Sequence, residues 1–108
     1  MEIKNAIIRD VRLGFEDHGL LTAYLDLDYG GVCQGFGGYG LGAPGANYCG
    51  EFIAQCLKIV GVREWTDLPG KTIRVKQEHV KVHAVGHIVE DRWFNPSELF
   101  EAMEKKAA

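Results

Sequence analysis

Alternation of apolar and polar residues is the feature that most limits what this chain can become. Across residues 20–29, Leu21, Ala23, Leu25, Leu27 and Tyr29 share one parity, while Thr22, Tyr24, Asp26 and Asp28 share the other. Successive side chains of a strand point to opposite faces, so this pattern specifies a half-buried β-strand. Residues 3–15 alternate as well. Ile3, Ile7, Val11, Leu13 and Phe15 fall on one parity, interrupted by Asn5 and Arg9, and a bulge is expected near Arg9. Glu16-Asp17-His18-Gly19 reads as the turn between the two strands, and Gly30-Gly31 as a two-residue hairpin turn. A third strand, weakened by glycine, is expected over 32–41.

Periodicity then changes. Phe52, Ile53, Cys56, Leu57 and Val60 recur at helical spacing, so a helix is expected from about Asn47 to Val60. Asn47 suits its N-cap and Gly61 its stop. Residues 71–76 and 80–90 read as a second hairpin. Asn95-Pro96-Ser97-Glu98 combines an N-cap, a proline at the first helical position and an acid in the first turn, opening a short C-terminal helix. The predicted order is β-β-β-α-β-β-α. The expected fold is α+β: an antiparallel five-stranded sheet with one packing helix and a short C-terminal helix. The chain has 108 residues, so a single domain over 1–108 is expected.

Composition excludes several classes. No apolar run of 18 or more residues occurs, so no membrane-spanning helix is expected. The net charge of −3 falls in residues 1–45 and argues against generic nucleic-acid binding. Met1–Asn5 lacks the basic-then-apolar pattern of a secretion signal. Cys33, Cys49 and Cys56 form neither a C-x-x-C nor an even set, so buried, reduced thiols are expected. Lys71, Arg74, Lys76 and Lys81 form a local basic cluster, read as the solvated face of the second hairpin.

Familiar chemical motifs do not survive their context. Gly35-Phe36-Gly37-Gly38-Tyr39-Gly40 has the spacing of a dinucleotide loop, but Leu41–Gly45 intervenes before the helix and no parallel βαβ unit follows. Such a glycine-rich segment could still offer backbone N–H groups to a phosphate. Gly70-Lys71-Thr72 leads into a strand and is not a P-loop. His79, His83 and His87 recur every fourth residue in a β-branched stretch. Neighbours on a strand would stand ~13 Å apart, too far to share one metal. Asp26 and Asp28 share one strand face and could hold a divalent cation or divide acid and base roles, with His87 as a third member. Tyr24, Tyr29, Phe36, Tyr39, Tyr48, Trp93 and Phe94 cluster around the glycines, and Trp93-Phe94 is expected to be semi-exposed.

A resemblance adds to this reading. Glu16-Asp17-His18-Gly19, Leu27-Asp28-Tyr29-Gly30-Gly31 and Gln34-Gly35-Phe36-Gly37-Gly38-Tyr39 resemble a family of small bacteriophage and prophage proteins. Gly61-Val62, Trp65, Leu68, Gly70-Lys71, Gly86-His87 and Trp93-Phe94-Asn95-Pro96 fit the same pattern. The resemblance spans nearly the whole chain. It implies a phage-encoded accessory protein in the host bacterial cytoplasm, and it carries no catalytic residues to transfer. By analogy with small phage proteins, the expected role is countering a host defence system.

The leading expectation is therefore a non-enzymatic binder, homo-oligomeric and without cofactor. In one version Asp26 and Asp28 block a basic groove of a CRISPR-type effector. In the other, the Gly35–Gly45 backbone, Tyr39, Arg74 and His87 hold the phosphates and base of a nucleotide signal; Phe36, Gly37, Gly38 and Trp93 complete the set of candidate ligand- or partner-binding residues. The alternatives are a small metal-dependent hydrolase using Asp26, Asp28 and His87, and a virion accessory protein.

Overall fold

A computed structural model describes residues 1–17, 19, 21–37, 48–79 and 81–107. The elements are β1 (Glu2–Phe15), β2 (Leu21–Tyr29), β3 (Val32–Gly37), α1 (Tyr48–Val60), a 3-10 turn (Trp65–Asp67), β4 (Thr72–Glu78), β5 (Lys81–Gly86), β6 (Trp93–Phe94) and α2 (Pro96–Ala107). The fold is α+β with an antiparallel sheet, as the alternation requires. The sheet has six strands, in the order β3-β2-β1-β4-β5-β6, rather than five. The additional strand is β6, whose two residues pair Phe94 with Val85 and Trp93 with Gly86. Two residues are too few to leave an alternation signature, and only the pairing reveals them. Likewise the strand expected over 80–90 ends at Gly86. The expected strand residues 38–41 and the Asn47 cap lie outside the described residues.

β1 is the hub of the sheet. Its first half pairs with β4, from Glu2 opposite Gln77 to Ile7 opposite Thr72. Its second half pairs with β2, from Ile7 opposite Asp28 to Phe15 opposite Leu21. The register shifts between Ile8 and Asp10, so Arg9 is the extra residue of a bulge, where the sequence placed it. The bulge also corrects the parity. Before it, Ala6 and Ile8 are buried, whereas Ile3 and Ile7 are 54% and 46% exposed. After it, Val11, Leu13 and Phe15 return to the buried parity, opposite Leu25, Ala23 and Leu21. One inserted residue exchanges the faces, so odd-numbered apolar residues on the two sides of Arg9 point opposite ways. Leu13 and Phe15 nevertheless stay 51% and 78% exposed.

The turns follow local chemistry. Gly30 and Gly31 take φ of +70° and +85°, the left-handed pair that a tight hairpin needs. Gly61 closes α1 at φ +85°, with Gly61 and Val62 N–H both donating to Leu57 O at 2.9 and 3.1 Å. Asn95 Oδ1 caps α2 by accepting from Ser97 N–H at 2.9 Å.

The sheet rolls around α1. β3 and β5 have three strands between them in the hydrogen-bonded order, yet they approach each other across the inner face. Phe36, Phe52 and Phe94 fill this space. Phe36 lies 5.6 Å from Phe52 and 6.0 Å from Phe94, edge-on to the latter. Leu99 and Phe100 of α2 seal one side, with Phe100 stacked on Tyr48 at 4.6 Å.

The parity exchange is directly testable by urea denaturation. Ile8→Ala should cost about 2–5 kcal/mol through the cavity it leaves. Ile3→Ala should stay within about 0.5 kcal/mol, as at an exposed position.

Candidate functional site: the open face of the sheet

Helices cover the inner face of the sheet. Across the hydrogen-bonded register, the outer face carries Ile3, Asn5 and Ile7 of β1, Tyr24, Asp26 and Asp28 of β2, Cys33 and Gly35 of β3, Thr72, Arg74 and Lys76 of β4, and Trp93 of β6. Five of the ten residues singled out from sequence, Asp26, Asp28, Gly35, Arg74 and Trp93, therefore share one surface, but at its two ends.

At the β2 end, Asp26 and Asp28 share the face, as their spacing demands. Asp28 is not a free carboxylate. Arg9, thrown out by the bulge, donates to Asp28 Oδ2 through Nε at 2.9 Å and through its second guanidinium nitrogen. Gly31 N–H donates to the other oxygen at 3.2 Å. The Arg9 hydrogen bond holds the Asp28 carboxyl below the ordinary carboxylate range, and the same bond raises the guanidinium. Asp26 faces Asp10 across the strand pair and Gly35 on its other side. Cys33, opposite Asp28, is exposed, contrary to the expectation of three buried thiols. An edge strand's outer face simply offers nothing to bury it. Cys49 and Cys56 are buried, and burial pushes both thiols up, Cys56 far beyond the physiological range.

At the β6 end, Trp93 lies across Gly86. A Cβ on Gly86 would come within 2.6 Å of the indole, so the glycine is what lets the ring lie on the sheet. The indole N–H donates to Asp91 Oδ1 at 3.0 Å. The Arg74 guanidinium stands 4.8 Å and the Lys76 ammonium 4.3 Å from the Trp93 ring centre. Arg74 also donates to His87 O at 2.8 Å and to Glu90 O at 2.7 Å. His87 in turn accepts at Nδ1 from Val89 and Glu90 N–H, at 3.1 and 3.0 Å. His87 thus pins the loop between β5 and β6. Arg74, His87 and Trp93 lie together at this end of the sheet, but two of the three hold that loop in shape.

Other expected site residues fall elsewhere. Phe36 is core, 1% exposed, and offers no surface to a ligand. Gly37 takes φ +107°, and a Cβ there would meet Phe52 at 2.5 Å, so this glycine serves packing. Phe94 is buried, unlike its neighbour Trp93. Gly38 and Tyr39 lie outside the described residues. Asp26 and Asp28 are on β2 and His87 follows β5, three strand spacings away, roughly 14 Å along the sheet. The roll around α1 splays outer side chains further apart, so this trio does not converge. Among the described residues, no group of three His, Cys, Asp or Glu is placed to hold a metal ion. No helix among the described residues is long and apolar enough to cross a membrane.

Sequence reasoning missed Lys76 as the second cation on the indole, and Ile3 and Ile7 as surface residues. The bulge at Arg9 was the signal that could have exposed the two isoleucines. Comparison with known protein families, curated proteins and solved structures returns no match for this chain. Among the described residues, the fold and site define an α+β protein with one helix-covered sheet face and one open face of mixed apolar, aromatic and charged character.

Two outcomes test this site. Gly86→Ala should destabilise the protein by about 1–3 kcal/mol through overpacking, and most of that cost should vanish in a Trp93→Ala background. Asp28 has a depressed folded pKa, so its ion pair stabilises above the unfolded carboxylate value and fades as pH falls through the lower folded value. Urea titrations should show wild type losing more stability than Asp28→Asn on acidification from about pH 5 to about pH 2.

Proposed function

We propose that this chain is a non-catalytic binding protein that engages a protein partner through the open face of its sheet. The observation that carries this reading is the composition of that face. It exposes Ile3 and Ile7 in the middle and a half-buried Trp93 flanked by Arg74 and Lys76 at one end. Tryptophan and arginine are the residues most enriched where interfaces concentrate their energy, and exposed aliphatic groups beside them gain by losing water. Trp93 is also preorganised: its N–H is tied to Asp91 and its ring rests on Gly86, so little side-chain freedom remains to be lost on binding.

The resemblance to phage proteins supplies the kind of partner. On that reading the chain is a phage accessory protein acting in the host cytoplasm, and its partner is a host defence protein such as a CRISPR-type effector. The acidic contribution rests on Asp26 more than on Asp28, which Arg9 already engages. The nucleotide-sequestering version keeps Arg74 and Trp93 as its anchors. Its test is whether a nucleotide competes with the protein partner.

Effector inhibition, or co-purification with a defence protein, should survive Glu64→Lys, which alters the connector that follows α1. It should fall roughly tenfold or more in Trp93→Ala and in Ile7→Glu. Equal binding by all four proteins would remove the open face as the working surface.

A further inference from the structure

Two cations on the open face lack an anion. Arg74 and Lys76 are half-buried on β4, and among the described residues neither forms an ion pair. Arg74 directs its donors to two backbone carbonyls, His87 O at 2.8 Å and Glu90 O at 2.7 Å. Lys76 has only the Trp93 ring, whose centre lies 4.3 Å from the ammonium. The nearby carboxylates are engaged elsewhere. Asp91 accepts the indole N–H at the ring edge, and Glu90 pairs with Arg92. A cation stripped of part of its water without a counter-charge is costly, so an anion arriving here gains more than at a fully exposed lysine.

The same geometry selects the anion. The sheet at Gly86 fills one face of the indole, and the two cations stand over the ring from the other side. A nucleotide base would have to displace both cations before it could stack on Trp93. A carboxylate needs no ring face and meets the cations directly. Arg74 and Lys76 are two residues apart on one strand face, about 6.6 Å. Residues four apart on a helix are separated by about 6 Å along its axis. In the neighbouring strand Ile3, which is exposed, lies opposite Lys76. A helix laid across a sheet face keeps its backbone bonds internal, which an extended segment there does not. We propose that this half of the open face docks an amphipathic acidic helix of the partner protein. Carboxylates four residues apart meet Lys76 and Arg74, and aliphatic side chains beside them cover Ile3 and Ile7. The inference rests on the open face being the working surface, and it names the chemistry that surface recognises.

The test is NMR titration of the isotope-labelled full chain with a helical peptide of four Ala-Glu-Leu-Ala repeats, capped at both ends. Two further forms carry Gln or Lys at every Glu. The Glu peptide should shift the Trp93 indole N–H and the amides of residues 3–7 and 74–76, and saturate. The Gln form should bind roughly tenfold or more weakly, through loss of the charge-assisted contacts. Lys76 holds no loop, so Lys76→Glu should keep the fold, lose the Glu peptide and gain the Lys form. Equal binding of the Glu and Gln forms, no shifts up to about 5 mM peptide, or AMP shifting the indole at lower concentration than the peptide would each overturn the proposal. Against a protein partner, full binding by Lys76→Glu alongside loss in Ile7→Glu would overturn this assignment and leave the open face standing. Undiminished binding by both variants would remove the open face itself.

Discussion

Everything in this molecule hangs on the shared pairing of β1. One strand gives its first half to β4 and its second half to β2, and Ile7 is paired on both sides. The two hairpins of the chain are distant in sequence, and only β1 joins them into a single sheet. The Arg9 bulge sits where this exchange happens. Backbone bonds from Ile8 N–H to Lys71 O and from Gly70 N–H to Ile8 O, at 2.9 and 2.7 Å, hold the start of β4 against the same point. A bulge increases local twist and bends its strand. The bend is consistent with a sheet that curls far enough for β3 to approach β5.

The curl produces two unlike faces. The inner one is closed by α1 and by three phenylalanines from three different elements: Phe36 of β3, Phe52 of α1 and Phe94 of β6. This contact couples the edge of the sheet to its last strand and explains why a two-residue strand persists. Among the described residues, no helix lies over the outer face. Its surface is held in order by local devices instead: Arg9 on Asp28, Gly86 under Trp93, and Arg74 across the His87–Glu90 loop.

Those devices change how the chemically suggestive residues are read. Asp28, Arg74 and His87 each look available in the sequence, and each is engaged by a neighbour in the fold. Trp93, Lys76, Ile3 and Ile7 are among the groups left facing outward. A surface of that composition is suited to contact, and its rigidity lowers the entropy lost when a partner settles on it.

The sequence by itself determined the local structure. Period two in residues 20–29, Gly30-Gly31, the helical stripe ending at Gly61 and the Asn95-Pro96 start each specify an element through contacts within a few residues, and each is present. It also placed the bulge at Arg9, because the broken alternation there has no other simple reading. Tertiary structure decided what pairs with what. The sixth strand exists only through its bonds to Val85 and Gly86. The burial of Ile8 rather than Ile7 follows from which face α1 covers, and Phe36 became core because the sheet curled over it. Alternation reports that a strand has two faces; it cannot report which one a distant helix will bury, since that depends on packing between residues far apart in the chain.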